Sequence, residues 1–293
     1  MAERHVAVVC ESTACLPAEL VQRYGIKVVP VPFVIGCTTF RDGVDISPDM
    51  FYERLRATSE LPKTSPPEPG AYLEAWQSAG PDCTEILVVT VAGRIGTFER
   101  SARMAQQLMA ESSPGVRVKI LDSGSAAMGQ GFVALEAARA ACRGMDLDTV
   151  CAEAEAVARR VNLVVTLDTL RYLARTSRIP QVASIVSSIL DLKPIIRLVH
   201  GEVQPVGRVR SRKRSLEQLV VTICKLSPAD KPMHLAIHHA RAQAEADRLL
   251  ALTSQQRSVV ETYVTEFTPV MGAYCGPGLV GAAFYPANAS EST

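Results

Sequence analysis

The sequence predicts an α/β protein of two domains. An N-terminal, mostly parallel α/β/α sheet domain is expected over residues 1–160. A smaller C-terminal α/β sandwich is expected over 161–286, with a disordered polar tail at 287–293. Three observations predict this. The 293 residues suffice for roughly two domains at about 150 residues each. Continuous apolar runs alternate with helical stretches through the first half, as in a parallel sheet covered on both faces. In the second half strands fall in close pairs around turns, mixed with helices.

The elements follow in order. Residues 6–10 (VAVVC) form an apolar run suited to a strand buried on both faces. Pro17 opens a short helix through Tyr24, and Gly25 ends it. A second strand is expected over 26–34. Ser47 and Pro48 mark an N-cap and first helical position, for a helix to about Thr58. Residues 61–70 (LPKTSPPEPG) hold four prolines, which remove donors and fix φ, so no regular structure is expected there. A helix over 71–78, a strand over 86–91, a helix over 98–109 and a strand over 116–121 follow. Two alanine-rich helices are expected over 131–142 and 147–161. The second half reads as strand 162–167, helix 170–175, helix 182–190, strands 192–199 and 203–209 around a turn at His200-Gly201, and helix 213–226. Strand 233–239, helix 240–252 and strands 259–264 and 281–285 complete it.

Composition excludes several functions. The net charge of +1 supplies no electrostatic attraction for nucleic acid as a whole. Aromatic residues make up 5%, with one Trp, too few for platforms that stack single-stranded bases. No segment has the pattern of a signal peptide, and the apolar run at 28–37 is short and carries two prolines, so a cytoplasmic protein without a transmembrane segment is expected. Eight cysteines stand at 10, 15, 37, 83, 142, 151, 224 and 275, with no C-x-x-C pair and no clustered Cys/His spacing. Buried free thiols, and neither a metal site nor a cofactor, are the expectation.

Gly276-Pro277-Gly278-Leu279-Val280-Gly281 matches G-x-G-x-x-G. A dinucleotide fold needs that pattern between the first strand and first helix of a βαβ unit, and no helix and strand follow it here. There is no phosphate-binding G-x-x-x-x-G-K-[ST] loop and no G-x-S-x-G elbow. A base at His238 or His239 acting with Cys275 is conceivable chemically, but no local signature supports it. Lys63-Thr64-Ser65-Pro66-Pro67 places two hydroxyls in a proline-stiffened loop, which suits an anion as well as it suits a turn and helix cap.

Taken in order, these pieces resemble the DegV family of bacterial fatty-acid-binding proteins across nearly the whole chain. The resemblance rests on Glu11-Ser12-Thr13-Ala14-Cys15-Leu16-Pro17, Thr64-Ser65-x-Pro67, Gly96-Thr97-Phe98 with Ser101-Ala102, Leu121-Asp122-Ser123, and Gly129-Gln130-Gly131. It continues through Asp168-Thr169-Leu170-Arg171-Tyr172-Leu173, Arg178-Ile179, Leu192-Lys193-Pro194-Ile195, Gly201-Glu202-Val203 and Cys275-Gly276-Pro277-Gly278. It implies a long-chain fatty acid in an apolar tunnel between two α/β domains, carried for phosphorylation by a partner fatty acid kinase, with no catalytic residue in this chain. The implied ligand residues are Thr64, Ser65, Gly96, Thr97, Ser123, Arg178 and Tyr274, with Arg94 beside them.

The chain departs from the family pattern at three places. The turn that usually reads Ser-Ser-x-Leu-Ser-Gly-Thr is one residue shorter, Ala92-Gly93-Arg94-Ile95-Gly96-Thr97, and lacks the serine of the head-group site. Tyr274 stands where the family has His. Thr176-Ser177 replaces Gly-Gly before Arg178. Either a carboxylate is held by a different donor set, with the Tyr274 hydroxyl for imidazole and Arg94 for the lost Ser, or the head group differs and the lipid carrier is not coupled to a kinase. A hydrolase of lipid esters is the alternative of another class. The basic run Arg208, Arg210, Arg212, Lys213, Arg214 reads as a solvated face or as a docking site for an acidic kinase or anionic lipid.

Overall fold

The computed structural model describes residues 6–58, 60–80, 83–174 and 192–288. The expected helix at 182–190 and Arg178 lie outside them. Four parallel strands form the first sheet, in the order β2 (Lys27–Val29), β1 (Val6–Glu11), β6 (Glu85–Thr90), β7 (Arg117–Asp122). Both faces of its central strands are covered, which is why β1 and β6 read as unbroken apolar runs. Six strands form the second sheet, in the order β10 (Glu202–Val209), β9 (Lys193–Val199), β8 (Asn162–Thr166), β13 (Val280–Pro286), β11 (Met233–His239), β12 (Val259–Glu266). All neighbours are antiparallel except β11 and β12.

Helices α1 (Ala18–Tyr24), α2 (Pro48–Ala57), α3 (Pro69–Gln77), α4 (Phe98–Ser112), α5 (Met128–Cys142) and α6 (Leu147–Ala158) belong to the first half. The expected starts and stops hold at α1, whose C-cap Gly25 is left-handed, and at α2, where the Ser47 hydroxyl accepts from Met50 N. Helix α5 contacts β1 and β6 on one side and β8 and β13 on the other, so it lies between the sheets. That explains a composition of small residues buried nearly all round. On the outer face of the second sheet, α8 (Arg212–Leu226) and α9 (Gln243–Ser254) cover Val164, Ile195, Leu235 and Phe284.

Several expectations are corrected. The single strand expected at 26–34 is two strands in different sheets, because Pro30 breaks it. The second piece, β3 (Pro32–Ile35), pairs with β4 (Thr38–Arg41) and with β5 (Lys63–Thr64). The proline-rich loop therefore contributes one short strand, at Thr64. Helix α10 (Pro269–Cys275) falls where no helix was expected. All eight cysteines are free thiols, but only Cys10, Cys15 and Cys151 are buried; Cys83, Cys142, Cys224 and Cys275 are half-buried and Cys37 is exposed.

Candidate lipid cavity between the sheets

An internal cavity of about 880 Å3 of unfilled space, part of it open to solvent, lies between the two sheets. Strand alternation builds one wall. Leu163, Val165 and Leu167 follow one another at period two along and just past β8. Register places Leu163 opposite Leu198 and Val165 opposite Ile196 of β9, and Val203 of β10 opposite Leu198. The facing wall comes from loops at the carboxyl ends of the first sheet: Val91 and Ile95 after β6, Ala126 before α5, and Phe98 opening α4. Leu173, on the short helix α7 (Arg171–Ala174), Leu279 and helix α10 close it further; α10 supplies Val270, Met271, Tyr274 and Cys275.

Helix α10 is placed by contacts made far from its own sequence. The Asp42 carboxylate accepts from Val270 N at 3.2 Å in its first turn. Gly272 leaves room for Tyr52, whose hydroxyl would lie 2.4 Å from any Cβ at 272. The helix then delivers Tyr274 to the Thr64 hydroxyl, and the two side chains are hydrogen-bonded. This pair and Thr13 are the polar side chains of an otherwise apolar lining.

The expected site residues divide. Thr64 and Tyr274 come together in the cavity wall. Gly96 serves the cavity indirectly: a Cβ there would sit 2.6 Å from the Phe98 ring, so glycine lets that ring fold into the lining. Ser65, Thr97, Ser123 and Arg94 do not line it. Ser65 is exposed and its backbone N–H donates to Pro32 O. Thr97 is exposed at the start of α4. The Ser123 hydroxyl is buried and donates to Ser125 O at 3.2 Å. Arg94 is exposed and pairs with Glu202 on β10, so the ligand role expected of it gives way to an ion pair at the surface. In the basic run, Arg208, Arg210, Lys213 and Arg214 are exposed, whereas Arg212 turns inward towards Glu245 at 3.4 Å.

The glycine turn is occupied by protein. A Cβ at Gly276 would meet the Tyr172 ring at 2.1 Å, and one at Gly278 would meet Asp168 Cβ at 2.8 Å. The turn therefore accommodates Tyr172 and Asp168.

Thr13 lines the cavity and was not among the expected ligand residues. Its hydroxyl donates to Gln130 Oε1 at 2.8 Å, and Gln130 Nε2 donates to Glu11 Oε2 at 2.7 Å. Glu11 also accepts from Tyr72 OH at 2.7 Å and Val91 N at 3.1 Å. Burial raises the Glu11 pKa to about 7, against the lowering effect of these donors. The quoted motif Glu11-Ser12-Thr13 carried the signal, but not the direction in which Thr13 faces.

A nucleophilic pairing of histidine with Cys275 does not form. Burial pushes the Cys275 thiol to about 12, with a further contribution from nearby Cys15, so it stays protonated. His238 is pushed down to about 3 by burial and then by His239, and its Nδ1 pairs with Thr265 Oγ1 at 2.9 Å. A third cluster, Glu136, His234 and Glu261, brings its ligand atoms within 4.8 Å of one another. The Arg139 guanidinium already bonds both carboxylates, at 2.5 Å to each, and its charge opposes a metal ion there. No helix among the described residues is long and apolar enough to cross a membrane.

The architecture and the chain both have relatives. A fatty-acid-binding DegV family protein from Thermus thermophilus is similar with a TM-score of 0.89 and 26% identity, covering 97% of this chain and 100% of that one. DegV of Bacillus subtilis, described as a fatty acid binding protein, is similar with a TM-score of 0.85 and 25% identity over 97% of this chain and all of its own. A DegV domain-containing protein of Mycobacterium tuberculosis is 34% identical over 279 residues, 94% of this chain and 95% of its own length. One from Streptomyces coelicolor is 32% identical over 283 residues, 95% and 97% of the two chains. The model of a family described as uncharacterised DegV proteins matches residues 5–287, and the chain belongs to the DegV family.

Proposed function

We propose that this protein binds a long-chain fatty acid in the cavity between the sheets, with its head group at Thr64 and Tyr274. The observation that carries this is the lining itself: aliphatic and aromatic side chains on every wall, interrupted by the Thr64–Tyr274 hydroxyl pair and Thr13. Each buried CH₂ contributes about 0.8 kcal/mol, so a long chain is held firmly without a charged anchor. Neutral hydroxyls receive a carboxyl group without the cost of burying a lysine beside it. The fatty-acid-binding relatives from Thermus thermophilus and Bacillus subtilis support the same ligand class. The protein acts as a carrier and supplies no catalytic group. A partner kinase phosphorylates the carried acid and docks on the exposed basic residues Arg208, Arg210, Lys213 and Arg214.

Native mass spectrometry of protein purified from cells tests the carrier role. A co-purified long-chain fatty acid is expected. A consistently empty protein that turns over ester substrates would sink it in favour of a hydrolase. A second reading has Tyr274 in its favour. A phenol where the family has imidazole offers no positive charge to a carboxylate, and so suits a neutral acyl head group in a carrier not coupled to a kinase. Binding of 1-hexadecanol at least as tight as that of palmitic acid would favour it.

A further inference from the structure

A second cleft lies at the carboxyl ends of β1 and β2 and shares no lining residue with the cavity between the sheets. It holds about 610 Å3 of unfilled space, part of it open to solvent. The loop after β1, the end of β2, the turn after β4 and Thr268, just before α10, build it. Open α/β sheets place their ligand crevices outside the carboxyl ends of the strands.

The polar groups on this cleft are not paired off. Asp42 is 2% exposed, and its Oδ1 accepts from Val270 N at 3.2 Å. Its Oδ2 is buried without a hydrogen-bond partner, and so is the Thr268 hydroxyl. Ser12 Oγ, which accepts from Val31 N at 3.2 Å, borders the same cleft. Burial raises the Asp42 pKa, and the nearby Ser12 and Thr268 hydroxyls and the Val270 N–H offset that only in part. No cation acts on the carboxylate, and no Lys, Arg or His among the described residues lines the cleft. Buried carboxylates are ordinarily paired with a cation or a metal ion, and this one has no such partner within the chain.

The rest of the lining says which cation fits. A hard metal ion takes about six oxygen ligands, and the side chains here offer one carboxylate and two hydroxyls. Asp42 belongs to no cluster of metal-ligating side chains among the described residues. Burial pushes the neighbouring Cys15 thiol to about 12, so it is no thiolate ligand. Leu16, Val28 and Val44 add aliphatic surface, and the last two are 36% and 55% exposed. Three oxygen acceptors beside aliphatic surface match the three N–H donors and the stem of a primary alkylammonium. We propose that this cleft is a second ligand site, which takes the ammonium group of a small primary amine on Asp42, with Thr268 and Ser12 as its other acceptors. The alkyl stem lies against Leu16, Val28 and Val44. The site does not depend on what fills the cavity between the sheets.

Butylammonium chloride titrated into the full nitrogen-15-labelled chain tests it by NMR at neutral pH. The backbone amides of Gly43, Thr268 and Val270 should shift together and saturate, with a dissociation constant on the order of 1 mM, as suits one charge-assisted contact and a short stem. Butan-1-ol, with the same stem and no charge, should bind at least about tenfold more weakly. Asp42→Asn keeps an acceptor for Val270 N and should raise the butylammonium constant at least about tenfold. Should that variant fail to fold, Thr268→Val serves in its place, because the Thr268 side chain makes no capping hydrogen bond to α10. It should raise the constant about threefold, the worth of one neutral acceptor. Shifts that never saturate, or a constant that neither substitution moves, would overturn the site. Butanol binding as tightly as butylammonium, or magnesium chloride saturating the same amides where butylammonium does not, would overturn the amine.

Discussion

Thr64 and Tyr274 stand 210 positions apart and share one hydrogen bond in the cavity wall. Thr64→Val removes the hydroxyl but keeps the shape, and should lower palmitic acid affinity about tenfold, the worth of one such bond, with the fold intact. Titration calorimetry beside a thermal melt separates the two effects; an unchanged dissociation constant removes Thr64 from the site. Gly281→Ala acts on the fold first. Its Cβ would lie 2.4 Å from Val164 O and 2.5 Å from a Val165 methyl in the centre of the second sheet, so stability falls by about 2 kcal/mol or more and the cavity-lining Val165 is displaced with it. These residues also mark how far the site was legible in the sequence. The hydroxyls of Thr64 and Tyr274 stood out because of the proline loop and the family pattern. Arg94 was misplaced because a turn residue's reach depends on what lies across it, and Glu202 is 108 positions away. Thr13 was missed because its direction follows from Gln130, on a helix 117 positions on.

At the scale of elements, the strands most legible in the sequence were those buried on both faces. The runs in β1 and β6 are continuous and apolar because neither side meets water, whereas β11 is buried throughout but carries three histidines. Strand β4, Thr-Thr-Phe-Arg, has a single apolar side chain facing inward and leaves no such trace. Helix α10 was hidden for a different reason. It is seven residues long with a glycine inside, and it stands because Asp42 caps it and Tyr52 packs against that glycine. The bond between α5 and β12 can be probed directly. Arg139→Met leaves Glu136 and Glu261 buried without their cation and should cost about 3–5 kcal/mol in urea unfolding. Burial opposes the Glu261 charge, but His234, Arg139 and Tyr263 outweigh it and hold its pKa below the ordinary 4.5. Its contribution is therefore present above that range and lost as pH falls below it. Glu11 has the opposite sign. With its pKa raised to about 7, the fold loses stability as pH climbs from 4.5 towards that value. Tyr72→Phe removes one donor to the anion and should carry that loss to higher pH, read as melting temperature against pH; an unchanged profile would show that the Tyr72 bond does not set the Glu11 charge.

At the scale of the whole molecule, the kinase docking proposed above should depend on charge. Arg208→Glu, Arg210→Glu and Lys213→Glu together should weaken a kinase complex at low salt and matter little at high salt. Arg212 is left out because it faces Glu245. Equal binding of the variant and the wild type at both salt concentrations would place the interface elsewhere. The two sheets also share one helix. Because α5 is buried against both, neither half keeps its core when the other melts, and calorimetry should record a single transition rather than two. The same arrangement bears on how the chain is made. Strand β13 is the last strand among the described residues and sits between β8 and β11 in the middle of the second sheet. On the ribosome, the first sheet can assemble early, but β8 alone covers only part of the outer flank of α5 until that strand emerges. A nascent chain would therefore carry a greasy, alanine-lined stripe through most of its synthesis, and shortening the protein by its final strand should yield aggregates rather than a smaller folded unit.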